Sequence, residues 1–315
     1  MQYDKTIWPL ECSWVYPRSS ETRKQLKVMV ICAHPDDADL LTGGLALKLT
    51  ARGHKVKFVS VTNGNAGHYK LDPIDLAAIR QKEGQASAEA LGSEYLSLNV
   101  NDGHVWVNQE QTEKVVRVIR RFDPDLVITH RPSDYHRDHR YTGQLVMDAS
   151  YMLIVPHYCP DTPISPSRKM PIICYAYDHF EKPYAFVPNV LLDISEEYSQ
   201  KSAALIHHES QMMDWIPWTM NQEDLIPEDY DLQNRLEILE MIVISVFARI
   251  ISDYRKLWKK GFPDRKITKA EAFEICEYGR QPSVQDLKDL FPGAYIPRKK
   301  DLKALFQPKV SKKEK

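Results

Sequence analysis

Long apolar runs are missing from this 315-residue chain. Its most hydrophobic stretch, Met241 to Ile251, is interrupted by Ser245 and Arg249 and falls short of the ~20 residues a bilayer crossing needs, so no membrane span is expected. No export signal is visible either, because Asp4, Glu11, Arg18, Glu21, Arg23 and Lys24 are scattered where a continuous apolar core would stand. Cysteine is sparse: Cys12, Cys32, Cys159, Cys174 and Cys276 form no C-x-x-C pair. That odd, scattered set speaks against a disulfide framework and a cysteine zinc module, and favours a reducing, cytoplasmic location. Charge of one sign is lacking too. The 42 Lys/Arg and 43 Asp/Glu leave a net charge of −1, so no global field draws the chain to nucleic acid or an anionic membrane, and neither is expected as a partner.

What is present is ordinary globular material, 43% hydrophobic and 27% charged, which excludes a disordered or collagen-like chain. Residues 27–32, KVMVIC, form a continuous apolar run that ends in polar residues, the pattern of a parallel strand buried on both faces. After Gly43-Gly44 a short helical pattern follows, then the β-branched run KVKFVSVT. Helices are predicted over 74–91 and 110–122, strands at EYLSLNV, PDLVITH, IICYAY and VLLDI, and a helix from about Thr142 to Leu153. This alternation predicts an α/β fold: a doubly wound, mostly parallel, Rossmann-like sheet with helices on both faces. The proline-rich segment from Pro156 to Pro171 is a candidate lid or site wall. A helical pattern covers 195–213, and a helix over 232–258, apolar nearly all round at its centre, must pack under the sheet or form a homo-oligomer interface.

Two clusters carry chemistry. His34-Pro35-Asp36-Asp37, with Asp39 behind, stands at the carboxyl end of the first strand; His136-Arg137-Asp138-His139 stands in the loop after the strand ending at His130. Open α/β sheets bind ligands at such ends. Imidazole and carboxylate suit Zn²⁺, and a catalytic site commonly takes three protein ligands and leaves one position open. His34, Asp37 and His139 can converge on one ion, leaving Asp36 and His136 for proton transfer.

The stretch AHPDDADLLTGG resembles the AHPDDxE signature of the PIG-L/LmbE-like zinc-dependent N-acetyl-sugar deacetylases, and HRPSDYHRDH resembles their second motif, H-x-D-H. The likeness continues through Arg80, Asp102-Gly103, YCPDTP, YAYDHF and His208-Glu209-Ser210-Gln211, covering roughly residues 27–220. It implies one Zn²⁺ or other divalent ion per chain, held by His34, Asp37 and His139. It further implies attack by the metal-bound water with Asp36 as general base, His136 as stabiliser and general acid, and Asp138 orienting an imidazole. Arg80, Asp102 and His208 would contact a small-molecule N-acetylated sugar or glycoconjugate. Two positions depart from the pattern. Asp39 replaces a Glu, shortening a side chain whose hydrogen bond would move or pass to water, and Arg137 replaces a frequent Pro, adding charge at the rim. A metal-site ligand-binding protein with little or no turnover is the alternative. His68, His104, His157 and His179 are expected to be structural or at the pocket wall, and the Met212-Met213-Trp215-Trp218 cluster to be packing. The expected organisation is an N-terminal arm (1–26), a deacetylase domain (27–220), a helical C-terminal extension (221–297) and a basic tail (298–315).

Overall fold

The computed structural model describes residues 25–226 and 231–305; Cys12, most of the N-terminal arm and the tail beyond 305 lie outside the described residues. In chain order the elements are β1 (Lys27–Cys32), α1 (Asp37–Thr50), β2 (Lys55–Thr62), α2 (Pro73–Ala90), β3 (Glu94–Val100), α3 (Gln109–Phe122), β4 (Leu126–Thr129) and α4 (Arg137–Met152). Then follow β5 (Ile172–Ala176), β6 (Val190–Asp193), α5 (Tyr198–Leu205), α6 (Ile216–Thr219), α7 (Leu232–Asp253), α8 (Arg255–Gly261), β7 (Ala270–Ile275), α9 (Val284–Leu290) and α10 (Lys299–Leu305). They build one seven-stranded sheet in the order β3-β2-β1-β4-β5-β7-β6. Strands β1 to β5 pair in parallel, and β7 runs antiparallel to both β5 and β6.

The continuous apolar runs follow from two covered faces. Val28, Val30 and Cys32 of β1 join a core with α1, α2, α5 and α7, while Met29 and Ile31 point the other way into a core with α3 and α4. Successive strand residues face opposite sides, so a strand covered on both sides is apolar throughout.

Five elements differ from the sequence reading, one being the helical pattern over 195–213, which divides into α5 and a separate π-helical turn, Ser210–Trp215. Helix α1 begins at Asp37 and carries Gly43 and Gly44 inside it, because the helix lies close against its neighbours: a Cβ at Gly44 would stand 2.4 Å from Ile194 Cγ2. Helix α4 begins at Arg137, five residues early, so Asp138 and His139 lie on its first turn and His136 is its N-cap. The long C-terminal helix breaks at Tyr254 into α7 and α8. Helix α7 packs under the sheet, one of the two expected placements, with Leu239, Val243 and Phe247 in the core and Met241 exposed. The segment 221–297 is largely helical but also supplies β7, whose sequence AEAFEI is poor in β-branched residues.

The proline-rich segment is not a lid. It joins the end of α4 to the start of β5 and so runs along the amino edge of the sheet, opposite the motif loops. There the buried Arg120 guanidinium donates to the carbonyls of Met152, Leu153, Val155, Tyr158, Cys159 and Thr162, which holds the loop in place. Among the described residues no helix is long and apolar enough to cross a membrane.

Candidate metal centre and active site

Strands β1 and β4 are neighbours whose onward connections leave in opposite directions, to β2 through α1 and to β5 through α4. Such a switch point opens a crevice at the carboxyl edge of the sheet. His34 follows β1, Asp37 opens α1, His130 follows β4, and His136 to His139 open α4. Both motifs therefore meet there, as expected from their places at strand ends.

His34, Asp37 and His139 converge. His34 Nδ1 stands 3.2 Å from His139 Nε2 and 3.2 Å from Asp37 Oδ2, and His139 Nε2 stands 3.5 Å from Asp37 Oδ1. Tetrahedral ligands about 2.1 Å from an ion lie ~3.4 Å apart, so the imidazole pair, and the Asp37 carboxylate that turns Oδ2 to one ring and Oδ1 to the other, stand at the spacing of ligands to a divalent cation. The outer nitrogen of each ring faces a carboxylate: His34 Nε2 is 3.2 Å from Asp102 Oδ1, and His139 Nδ1 is 3.1 Å from Asp134 Oδ1. Hydrogens on those outer nitrogens leave two lone pairs facing each other at 3.2 Å, an arrangement that a shared cation relieves. Burial alone would lower the His34 pKa, but the Asp37 charge and the Asp102 hydrogen bond reverse the effect and raise it to about 10. The pocket thus attracts positive charge. His130, absent from the sequence-derived site, stacks on His139 with centroids 4.1 Å apart and places its Nε2 3.3 Å from Asp37 Oδ2. The same nitrogen accepts the Ala33 N–H at 3.1 Å, and burial, followed by the His139 charge, lowers its pKa.

Asp36 lies beside this cluster. Its Oδ1 accepts from the buried Arg80, whose Nη2 is 2.8 Å away. Gly64 makes room for that guanidinium: its φ is +69°, and a Cβ would fall 2.3 Å from Arg80 Nη1. Arg80 therefore holds Asp36, where the sequence reading had it contacting substrate. His136 packs edge-on to His34 with centroids 4.6 Å apart, and its Nδ1 accepts the Asp138 backbone N–H. Asp138 is fully buried, and its carboxylate takes the Gly103 and Val105 N–H groups at 2.6 and 3.4 Å, anchoring the turn that carries Asp102. Asp102 and Asp134 are the carboxylates that face the outer nitrogens of His34 and His139; Asp138 comes only to 4.0 Å of His34 Nε2. Arg137 spends its charge on the Gly103 and Val105 carbonyls and stacks over Trp106, which stiffens the same turn.

His208, expected to contact substrate, is withdrawn into the interior. It is fully buried, with Nε2 2.6 Å from Asp39 Oδ2. Burial acts to lower its pKa, and the Asp39 charge and hydrogen bond outweigh that and raise it. Ser87 also donates to Asp39, so the shorter carboxylate reaches protein partners and is not left to water. Nearby, Gln211 donates to the Gly67 carbonyl from a π-helical turn, Ser210–Trp215, where Met212 and Met213 are core residues and Trp215 stacks on Trp218.

The family model described as PIG-L, GlcNAc-PI de-N-acetylase, matches residues 29–150, which span His34 to His139. The diacetylchitobiose deacetylase of Thermococcus kodakarensis is 30% identical over 200 residues, covering 61% of this chain and 73% of that enzyme. The chain belongs to the PIG-L family. The probable N-acetyl-alpha-D-glucosaminyl L-malate deacetylase 2 of Bacillus cereus is similar to it, 27% identical over 194 residues that cover 58% of this chain and 83% of that protein. Among solved structures, the N,N'-diacetylchitobiose deacetylase of Pyrococcus horikoshii, complexed with its inhibitor MPG, superposes with a TM-score of 0.62 at 26% identity, covering 83% of this chain and 89% of that one. The 4-carboxy-2-hydroxymuconate hydratase GalB of Pseudomonas putida reaches a TM-score of 0.61 at 19% identity, covering 82% and 98%. This chain thus shares its fold with a hydratase as well as a deacetylase, and the reaction has to be argued from the site.

Proposed function

We propose that this PIG-L member is a zinc-dependent N-deacetylase that hydrolyses the N-acetyl amide of an amino sugar or sugar conjugate, releasing acetate and a free amine. The observation that carries the reading is the convergence of His34, Asp37 and His139 within 3.2–3.5 Å beside the Arg80-held Asp36. Two imidazoles and a carboxylate suit zinc. The relatives' names, diacetylchitobiose and N-acetylglucosaminyl malate deacetylases, support an N-acetylglucosamine-type substrate. Residues 27–220 are the catalytic domain in this reading, with 221–297 as an extension that completes the sheet and 298–315 as a basic tail.

His34, Asp37 and His139 would hold the ion. When bound, a divalent metal lowers the pKa of water towards about 7 and polarises a carbonyl. Asp36 takes a proton from the attacking water as its oxygen adds to the acetyl carbon. His136 gives a proton to the nitrogen as the C–N bond breaks; the Asp138 N–H on its Nδ1 supports Nε2 as the proton-bearing atom. Arg80 keeps Asp36 aimed, and Asp102 and Asp134 keep the ligand imidazoles in the required tautomers.

The test is acetate release from a panel of N-acetylglucosamine derivatives, with and without chelator. Release that stops with chelator and returns with Zn²⁺ is expected, together with a drop of ~10²–10⁴-fold in Asp36→Asn that retains its metal. A protein that binds no divalent ion, or an Asp36→Asn variant with full activity, would overturn the reading.

A further inference from the structure

A cavity of about 310 Å³ opens on the β5 side of the candidate metal centre, with Asp37 and His139 in its wall. That volume lies within the ~300–1,000 Å³ range of small-molecule sites. Leu40, Leu41 and Phe180 give it apolar surface, and Arg249 of α7 also lines it.

The other charges of this lining are matched within the protein. Asp37 faces His34, His130 and His139, and Asp134 takes His139 Nδ1 and the His136 N–H. Asp178 accepts from Arg131 Nε and Nη2 at 2.6 and 2.9 Å, and Arg131 is itself buried. Arg249 differs: it is exposed, and its side chain makes no hydrogen bond or ion pair among the described residues. Its backbone is nevertheless anchored. Ile250 beside it is buried, and one turn on, Asp253 accepts the Tyr177 O–H at 3.2 Å, tying α7 to the residue that follows β5. His179 lines the same cavity, and its pKa is lowered by burial and then by the Arg249 charge. An unmatched guanidinium on a fixed helix at a ligand-sized cavity offers a fork of N–H donors to a carboxylate or phosphate.

We propose that Arg249 is the anion-recognition residue of the substrate pocket, so that the N-acylated substrate bears a phosphate or carboxylate held by this guanidinium while its amide lies at the metal centre. The inference rests on the deacetylase reading and specifies its substrate class. It also gives α7, outside the 29–150 family match, a direct part in the site.

The experiment uses the full chain loaded with zinc. Deacetylation of N-acetylglucosamine is compared with that of N-acetylglucosamine 6-phosphate, N-acetylglucosamine 1-phosphate and N-acetylmuramic acid, in wild type and Arg249→Gln. Wild type is expected to favour at least one anionic sugar by about tenfold or more in kcat/KM, and the variant to cut that ratio by a similar factor. The identity of the favoured sugar separates phosphate from carboxylate. Equal rates on neutral and anionic sugars in wild type, or an unchanged ratio in the variant, would overturn the proposal. Calorimetric binding of the same sugars distinguishes the two readings. An anionic sugar that binds wild type and not the variant, with no turnover by either, supports the subsite and sinks the deacetylase reading. No binding of any anionic sugar to wild type overturns the subsite, whatever the turnover.

Discussion

Asp134 and Asp102 decide which nitrogen of each ligand imidazole is free. With Asp134 on His139 Nδ1, the Nε2 lone pair points into the cluster. Asp134→Asn is expected to weaken zinc binding ~10–100-fold in a metal-competition titration, and unchanged affinity would mean that the ring is oriented by other contacts. That His34, Asp37 and His139 come together was legible in the sequence, because their types and strand-end positions suit a metal. Asp134 and His130 stand in the same stretch as His139, yet their roles depend on which ring each one meets in space. A second residue-scale prediction concerns pH. Burial pushes the Glu274 carboxyl up to about 7, against the opposing pull of the Val187 N–H and Arg131. The folded state then binds more protons than the unfolded chain between about pH 4.5 and 7, so this group makes stability fall as pH rises through that window. Glu274→Gln should remove the fall: its Tm advantage over wild type is expected to grow from pH 5 to 8, and a pH-independent difference would contradict it.

At the scale of elements, α1 is held by a buried ion pair that enters its hydrogen-bond ladder. The Gly44 and Leu45 N–H groups donate to Glu271 of β7, and Lys201 of α5 donates both to Glu271 and to the Leu40 carbonyl, the partner that Gly44 has in a regular helix. The helix that presents Asp36, Asp37 and Asp39 is thereby tied to β7, with 227 residues of chain separating Gly44 from Glu271. Glu271→Gln leaves the Lys201 ammonium buried without its counter-charge and is expected to cost ~3–5 kcal/mol by urea unfolding. Adding Lys201→Met should recover part of that loss, and two losses that simply add would show that the pair is not coupled. Gly44→Ala should cost ~1–3 kcal/mol, because Ile194 has to move. Local sequence could not show this: glycines inside a helix resemble a loop signal until the closeness of the neighbouring strand end is known. The early start of α4 was hidden for a similar reason, since His136 to His139 are poor helix signals and become one through the cap that His136 provides.

For the whole molecule, β7 is the strand that joins β5 to β6, so the segment beyond residue 220 is part of the same sheet. A chain ending at residue 220 would leave two strand edges unpaired and strip α7 from the core. It is expected to be insoluble or to lack a cooperative thermal transition, as circular dichroism would show; a soluble, cooperatively melting fragment would mean that 27–220 folds alone. The doubly wound sheet and the candidate metal cluster could be read from the sequence itself, because a strand buried on both faces must be apolar throughout and because imidazoles and carboxylates at neighbouring strand ends are the side chains that suit a metal. The placement of β7, the withdrawal of His208 to Asp39, the pairing of Arg80 with Asp36 and the arrival of Arg249 at the cavity were decided only by the tertiary structure. Each depends on which distant segments the packing brings within a few ångströms, and that information is carried by no local pattern of residues.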